Sequence, residues 1–124
     1  MVREATMVEV DPETKVQKIF MKSIELLGGL KQLTRYRSLT WLPALARAAY
    51  AVVLKEEYNR VEDEIAKELG ITRQSVRNIL QANPEYAKER IKRLQELVDE
   101  EGGELKGHTA GAIVKLAYKL LNED

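Results

Sequence analysis

The chain has 124 residues, of which 44% are hydrophobic and 32% charged, so it holds enough apolar material for one core and lacks the composition of a disordered chain. It contains no cysteine and a single histidine, which excludes disulfides, thiolate nucleophiles and any metal site needing two imidazoles. Twenty basic residues balance twenty acidic ones, so a nucleic-acid partner would have to meet a local basic face.

Residues 1–10 alternate weakly and read as a short arm. Asp11-Pro12 opens a helix over about 12–28, with Asp11 as cap and Pro12 in the first turn. Its apolar stripe is Val16, Ile19, Phe20, Ile24 and Leu27, and Gly28-Gly29 stops it. Leu30–Tyr36 is a short helical or irregular connection. Ser38 or Thr40 opens a second long helix, about 41–57, with Pro43 in its first turn and Leu42, Leu45, Ala46, Ala49, Val52 and Val53 as its buried stripe. Shorter helices follow at 62–69 and 73–82, the latter ended by Asn83-Pro84. An amphipathic helix over 85–101 aligns Ala87, Ile91, Leu94 and Val98. After a turn made by Gly102, Gly103 and Gly107, Thr109 caps a last helix over 109–121. No strand run and no repeat is visible, so the class is all-α, a multi-helix bundle. The expected organisation is an arm at 1–10, a helical domain at 11–83 and a C-terminal helical hairpin at 84–124.

The stretch EDEIAKELGITRQSVRNILQ, residues 62–81, meets the steric demands of a helix-turn-helix together. Two short helices cross tightly only if the first carries a tiny side chain, which Ala66 supplies. The turn needs a positive φ, which Gly70 tolerates. Ile65, Leu69, Ile71, Val76 and Ile79 fill the buried seam, and Thr72 can cap the second helix. One position departs from the pattern: Val61 stands where Ser, Thr or Asp usually caps the first helix. Either Asn59 caps from two residues upstream or the boundary is shifted.

The other side chains of the second helix face outwards and are of the types that read the major groove. Arg pairs with guanine, and Gln or Asn with adenine. Arg73, Gln74, Arg77 and Asn78 are the base-contact candidates. Thr72, Ser75 and Gln81 are backbone-contact candidates, joined by Lys31, Arg35, Arg37 and Arg47 if the fold brings those to the same side. From Lys31 to Arg47 and from Thr72 to Asn83 the chain carries no acid. A fold that covers Arg73–Gln81 with the protein's own helices, or sets it against a wall of carboxylates, would end this reading.

The stretch LPALARAAYAVVLKEEYNRVEDEIAKELGITRQSVRNIL resembles the four-helix DNA-binding region of sigma factors and related response-regulator domains. With YRSLTWLPALARAAY included, it is also similar to a short archaeal family of regulatory domains encoded beside KaiC-like ATPases. The first resemblance implies a transcription regulator bound to double-stranded DNA. The second implies a regulatory role with an ATPase partner, and the chain itself has no phosphate-binding loop of the Gly-x-x-x-x-Gly-Lys kind.

Glu62, Asp63, Glu64 and Glu68 fit a solvated first turn favoured by the helix dipole, rather than a metal or acid–base site. His108 reads as a surface or capping residue. Trp41 and Tyr50 read as packing residues, and Tyr36, between Arg35 and Arg37, as either a loop residue or a contact to a partner. With no nucleophile–base pair, no enzyme, cofactor or metal is expected. Ile91, Leu94, Val98, Leu105, Ile113, Leu116 and Leu120 could pack within the chain or form a homodimer interface, and two copies suit a helix-turn-helix that covers one half-site. The alternative function is a protein-interaction adaptor without specific DNA binding. The absence of a long apolar stretch argues against a membrane, and the lack of a secretory signal leads to a cytoplasmic expectation. Abundant Lys, Arg and Glu with sparse Asn and Gln give a heat-adapted composition.

Overall fold

The computed structural model describes residues 11–36, 39–100 and 105–123. The expected arm at 1–10, Arg37, Ser38, Gly102 and Gly103 fall outside them. Every regular element among the described residues is helical, and the protein is an all-α multi-helix bundle. None of these helices is long and apolar enough to cross a membrane.

Helix α1 spans Pro12–Leu26, and the Asp11 carboxylate accepts from the Glu13 N–H at 3.0 Å, as the sequence leads one to expect of a cap. It ends two residues before the predicted limit because the Leu27 N–H folds back to Ser23 and Ile24, and Gly28 turns the chain at φ 112°. A short α2, Gly29–Leu33, follows and packs on α1. Helix α3 spans Leu42–Glu56 with Pro43 in its first turn. The expected opening by Ser38 or Thr40 is corrected. The cap position is Trp41, which offers no side-chain cap and is instead wholly buried, with the Tyr36 ring edge-on to it at 5.3 Å. Burial of a large aromatic anchors this helix start where a hydroxyl cap was anticipated.

Helices α4, Glu62–Leu69, and α5, Arg73–Leu80, lie where the motif put them. Helix α5 stops two residues short of the expected 82, where the Ala82 N–H closes on the Ile79 carbonyl at 3.3 Å, a 3-10-type bond that tightens the last turn. The single helix expected at 85–101 is three pieces: a 3-10 turn at Pro84–Tyr86, α6 at Ala87–Lys92 and α7 at Leu94–Glu100. The break at Arg93, whose N–H reaches Arg90 and Ile91 carbonyls, carries no Gly or Pro signal. It accompanies complete burial of both Leu94 and Val98, a gain that one disturbed helical bond does not offset.

Helix α8, Gly107–Asn122, starts before the predicted 109. Thr109 is not its cap: it lies inside the helix and is buried, while Lys106 holds the cap position and its side chain does not cap the helix. Gly107, expected in the turn, is helical. The reason is tertiary, because α8 is the central helix: it packs against α1, α3, α5 and α6. Its buried Ala110, Ala112, Ile113, Val114 and Ala117 join Ile19, Ile24, Leu45, Val52, Leu54 and Ile65 in one core. The C-terminal part therefore shares its core with residues 11–83. Leu105 and Ile113 are buried within the chain, whereas Ile91, Leu116 and Leu120 are half-buried.

Candidate nucleic-acid interface

The turn between α4 and α5 is built by backbone geometry. Gly70 adopts φ 70°, ψ 32°, and the N–H groups of both Gly70 and Ile71 return to the Ala66 carbonyl. A residue with a Cβ is strained in this left-handed region, which is why glycine stands here. Ile65, Ala66, Val76 and Ile79 are buried, and Leu69 and Ile71 pack half-buried against the same core. The whole predicted seam is thus assembled. The Thr72 hydroxyl accepts from the Ser75 N–H at 3.0 Å and donates to the Ser75 hydroxyl, capping α5 as expected.

The first helix solves its missing cap differently from expectation. Glu64 accepts from the Val61 N–H at 3.1 Å, which is half of a capping box and needs nothing from the Val61 side chain. Asn59 is not the cap. It takes φ 51° and turns the chain, so that the Arg60 N–H closes on the Leu54 carbonyl at 2.9 Å. Asparagine is one of the few residues that tolerate that conformation.

Three elements brace α5. Helices α3 and α4 take its Val76 and Ile79 side, and α8 lies along Ser75, Asn78, Ile79 and Ala82. The approach of α8 is close because of two glycines one turn apart. A methyl group on Gly107 would sit 3.3 Å from the Asn78 Cβ, and one on Gly111 would sit 2.5 Å from the Ile79 carbonyl oxygen. Lys115, one further turn along the same face, donates to the Leu80 carbonyl at 2.6 Å. A cation on the last carbonyl of α5 also complements the negative end of that helix. Burial pulls the Lys115 ammonium below the usual lysine range.

An arc of Arg73, Gln74, Arg77, Asn78 and Gln81 remains outward, with Arg77 and, at the edge of the arc, Ser75 half-buried. Only part of this arc stands clear of carboxylates. Arg73 Nε lies 2.8 Å from Asp63 Oδ1, and Arg77 Nη2 lies 3.1 Å from Glu62 Oε1. The hydrogen bond to Glu62 and its charge hold the Arg77 guanidinium above its ordinary range. The acidic first turn of α4 therefore faces the two arginines. Gln74 donates from Nε2 to Asn78 Oδ1 at 2.9 Å.

No family model matches the chain. No curated protein and no solved structure matches it either.

The other candidate cations are not gathered round α5. Lys31 lies in α2 and Arg35 just beyond it, and α2 packs on α1. Arg47 is half-buried in the N-terminal half of α3, whereas α4 follows the opposite end of that helix. Arg37 lies outside the described residues. A shallow hollow of about 450 Å³ beside Arg73 mixes Lys55 and Arg60 with Glu62 and Asp63, so its charge is of both signs. Among the described residues no group of His, Asp and Glu is arranged to hold a metal ion, and His108 is exposed. Trp41 is buried and Tyr36 packs on it, which makes the pair a structural anchor and not a stacking platform.

Sequence reasoning missed the part played by Gly107, Gly111 and Lys115. Their spacing of four was visible and puts all three on one helix face, but Gly107 read as a turn residue, outside the predicted helix that holds Gly111 and Lys115. It also took Glu62 and Asp63 for a solvated turn without pairing them to the arginines fifteen and ten residues on.

Proposed function

We propose that the protein is a non-enzymatic DNA-binding regulator whose helix α5 enters the major groove of double-stranded DNA. The observation that supports this most is the outward arc of Arg73, Gln74, Arg77, Asn78 and Gln81 on a capped helix braced by α3, α4 and α8. A rigid helix presenting guanidinium and amide groups is what base-edge reading requires. The Arg73–Asp63 pair is exposed on both sides, and such pairs are worth roughly 0–1 kcal/mol, so phosphate or guanine can take the arginine over. One helix-turn-helix covers one half-site, and the reading therefore includes a homodimer on DNA.

A second reading is a protein-interaction adaptor, such as one docked on a regulatory ATPase. The pairing of both arginines with α4 carboxylates, in a chain of zero net charge, favours it. Selection from random duplex DNA at two salt concentrations separates the two. A palindromic consensus, bound more weakly at the higher salt, supports the regulator and its dimer. Recovery of no enriched sequence and no salt-sensitive retention sinks it.

A further inference from the structure

The α5 arc divides into two chemistries. Successive residues advance by 100° around a helix, so Arg73 and Arg77 lie on the side of α4, and Gln74, Asn78 and Gln81 fill the remainder. The arginines are engaged by Asp63 and Glu62. The amides carry no charge, and Gln74 and Asn78 bond to each other.

A glutamine amide has two N–H donors and one carbonyl oxygen. In Gln74 one N–H is committed to Asn78 Oδ1, at 2.9 Å. The other N–H and the carbonyl oxygen are left, one donor beside one acceptor. Adenine presents the complement in the major groove, an N7 acceptor beside an N6–H donor. Guanine presents two acceptors there, and would leave the Gln74 carbonyl facing an oxygen.

Asn78, which supplies the acceptor, stands next to α8. The Asn78 Cβ abuts the backbone of α8 at Gly107, where an added methyl would come within 3.3 Å. A relay of contacts thus runs from the N-terminal turn of α8 through Asn78 to Gln74. Fixing one rotamer of a long side chain before binding removes an entropy cost that free glutamines carry.

We infer that Gln74, oriented by Asn78 against α8, reads an adenine, so that the duplex this protein selects carries an A·T pair at the position α5 addresses. Gln74 touches the base, and Asn78 is a positioning residue. The inference rests on the proposed DNA-binding function and names the ligand class of that face.

The test is selection of bound sequences from random duplex DNA with the full chain and three variants. The parent enriches adenine at one position of each half-site, by roughly ten- to a hundredfold over the other bases. Gln74→Glu replaces the amide donor by a carboxylate that only accepts, and moves the preference at that position from adenine to cytosine. Asn78→Ala flattens the adenine preference. Asn78→Asp keeps the acceptor for Gln74 and restores the preference, while its negative charge weakens binding to all sequences alike. A role of Asn78 in stability alone would alter affinity in both variants and leave the base profile in place. Far-UV circular dichroism with a melt confirms that each variant is folded. A consensus with guanine where Gln74 acts overturns the inference, and so does an adenine preference indifferent to Gln74→Glu or to Asn78→Ala. In those outcomes DNA binding itself stands. A pool with no enrichment at all removes DNA binding and the inference with it.

Discussion

Replacing Gly111 by alanine isolates the contact that sets the position of α5. Alanine in place of a glycine inside a helix ordinarily adds about 1 kcal/mol of stability. Here the new Cβ would lie 2.5 Å from the Ile79 carbonyl oxygen, 2.9 Å from its Cα and 3.0 Å from the Ala82 Cβ. Two of those atoms are backbone, so no rotamer change relieves the overlap and α8 must move off α5. Overpacking of a filled core costs typically about 1–3 kcal/mol, and a backbone clash belongs at the upper end. Set against the gain in propensity, the net loss is about 2 kcal/mol. Unfolding entropy near 2 cal/mol/K per residue, over 124 residues, makes that a fall in Tm of about 8 °C. Urea and thermal unfolding followed by circular dichroism measure both. Gly107→Ala is the control: its Cβ meets nothing nearer than 3.3 Å, so its effect stays below about 1 kcal/mol. A Gly111→Ala protein as stable as the parent, or a Gly107→Ala protein equally damaged, would refute the packing of α8 on α5 described above.

Three further outcomes are expected. Ile65→Ala empties a fully buried site at the α4 seam and should cost about 2–5 kcal/mol in urea unfolding, and a loss below 1 kcal/mol would contradict that burial. Gly70 has φ 70° with open space around its Cα, so Gly70→Ala should lose about 1 kcal/mol from backbone strain alone, and Gly70→Asn less; equal losses would show that the cost is steric. Burial, with a hydrogen bond to Glu57 at 2.6 Å, pushes the Tyr118 phenol up to about 12 from an ordinary 10. The folded state then holds this proton to higher pH than the unfolded chain does, so its stability falls as pH rises from about 10 towards 12. Tyrosinate absorbance should show a component titrating near pH 12 that Tyr118→Phe removes, and retention of that component in the variant would assign it elsewhere.

Much of the architecture was legible because it is written in local chemistry. Asp11-Pro12 and Thr72 are caps whose oxygen positions depend on neighbouring residues alone. Ala66, Gly70 and the aliphatic seam around them fix a turn and a crossing within twenty residues of chain. The all-helical class, the motif at 62–81 and the outward set on α5 follow from periodicity, which is a short-range property. What that outward set binds belongs to the proposal above and not to the pattern.

The long-range choices were not legible. Whether Gly107 makes a turn or lets a helix come close depends on Ser75, Asn78 and Ile79, which meet it only after folding. Trp41 displaced a hydroxyl cap because core burial outweighs one capping bond, and the chain broke at Arg93 as Leu94 and Val98 went to the interior. The sequence by itself determined which segments coil and which face of each is apolar. Only the tertiary structure decided that the last helix runs through the centre, braces α5 with Gly111 and Lys115, and leaves Arg73 and Arg77 beside Asp63 and Glu62. The physical reason is that packing and charge pairing join residues far apart in the chain, and the spacing of residues along one segment carries no record of what lies across the core.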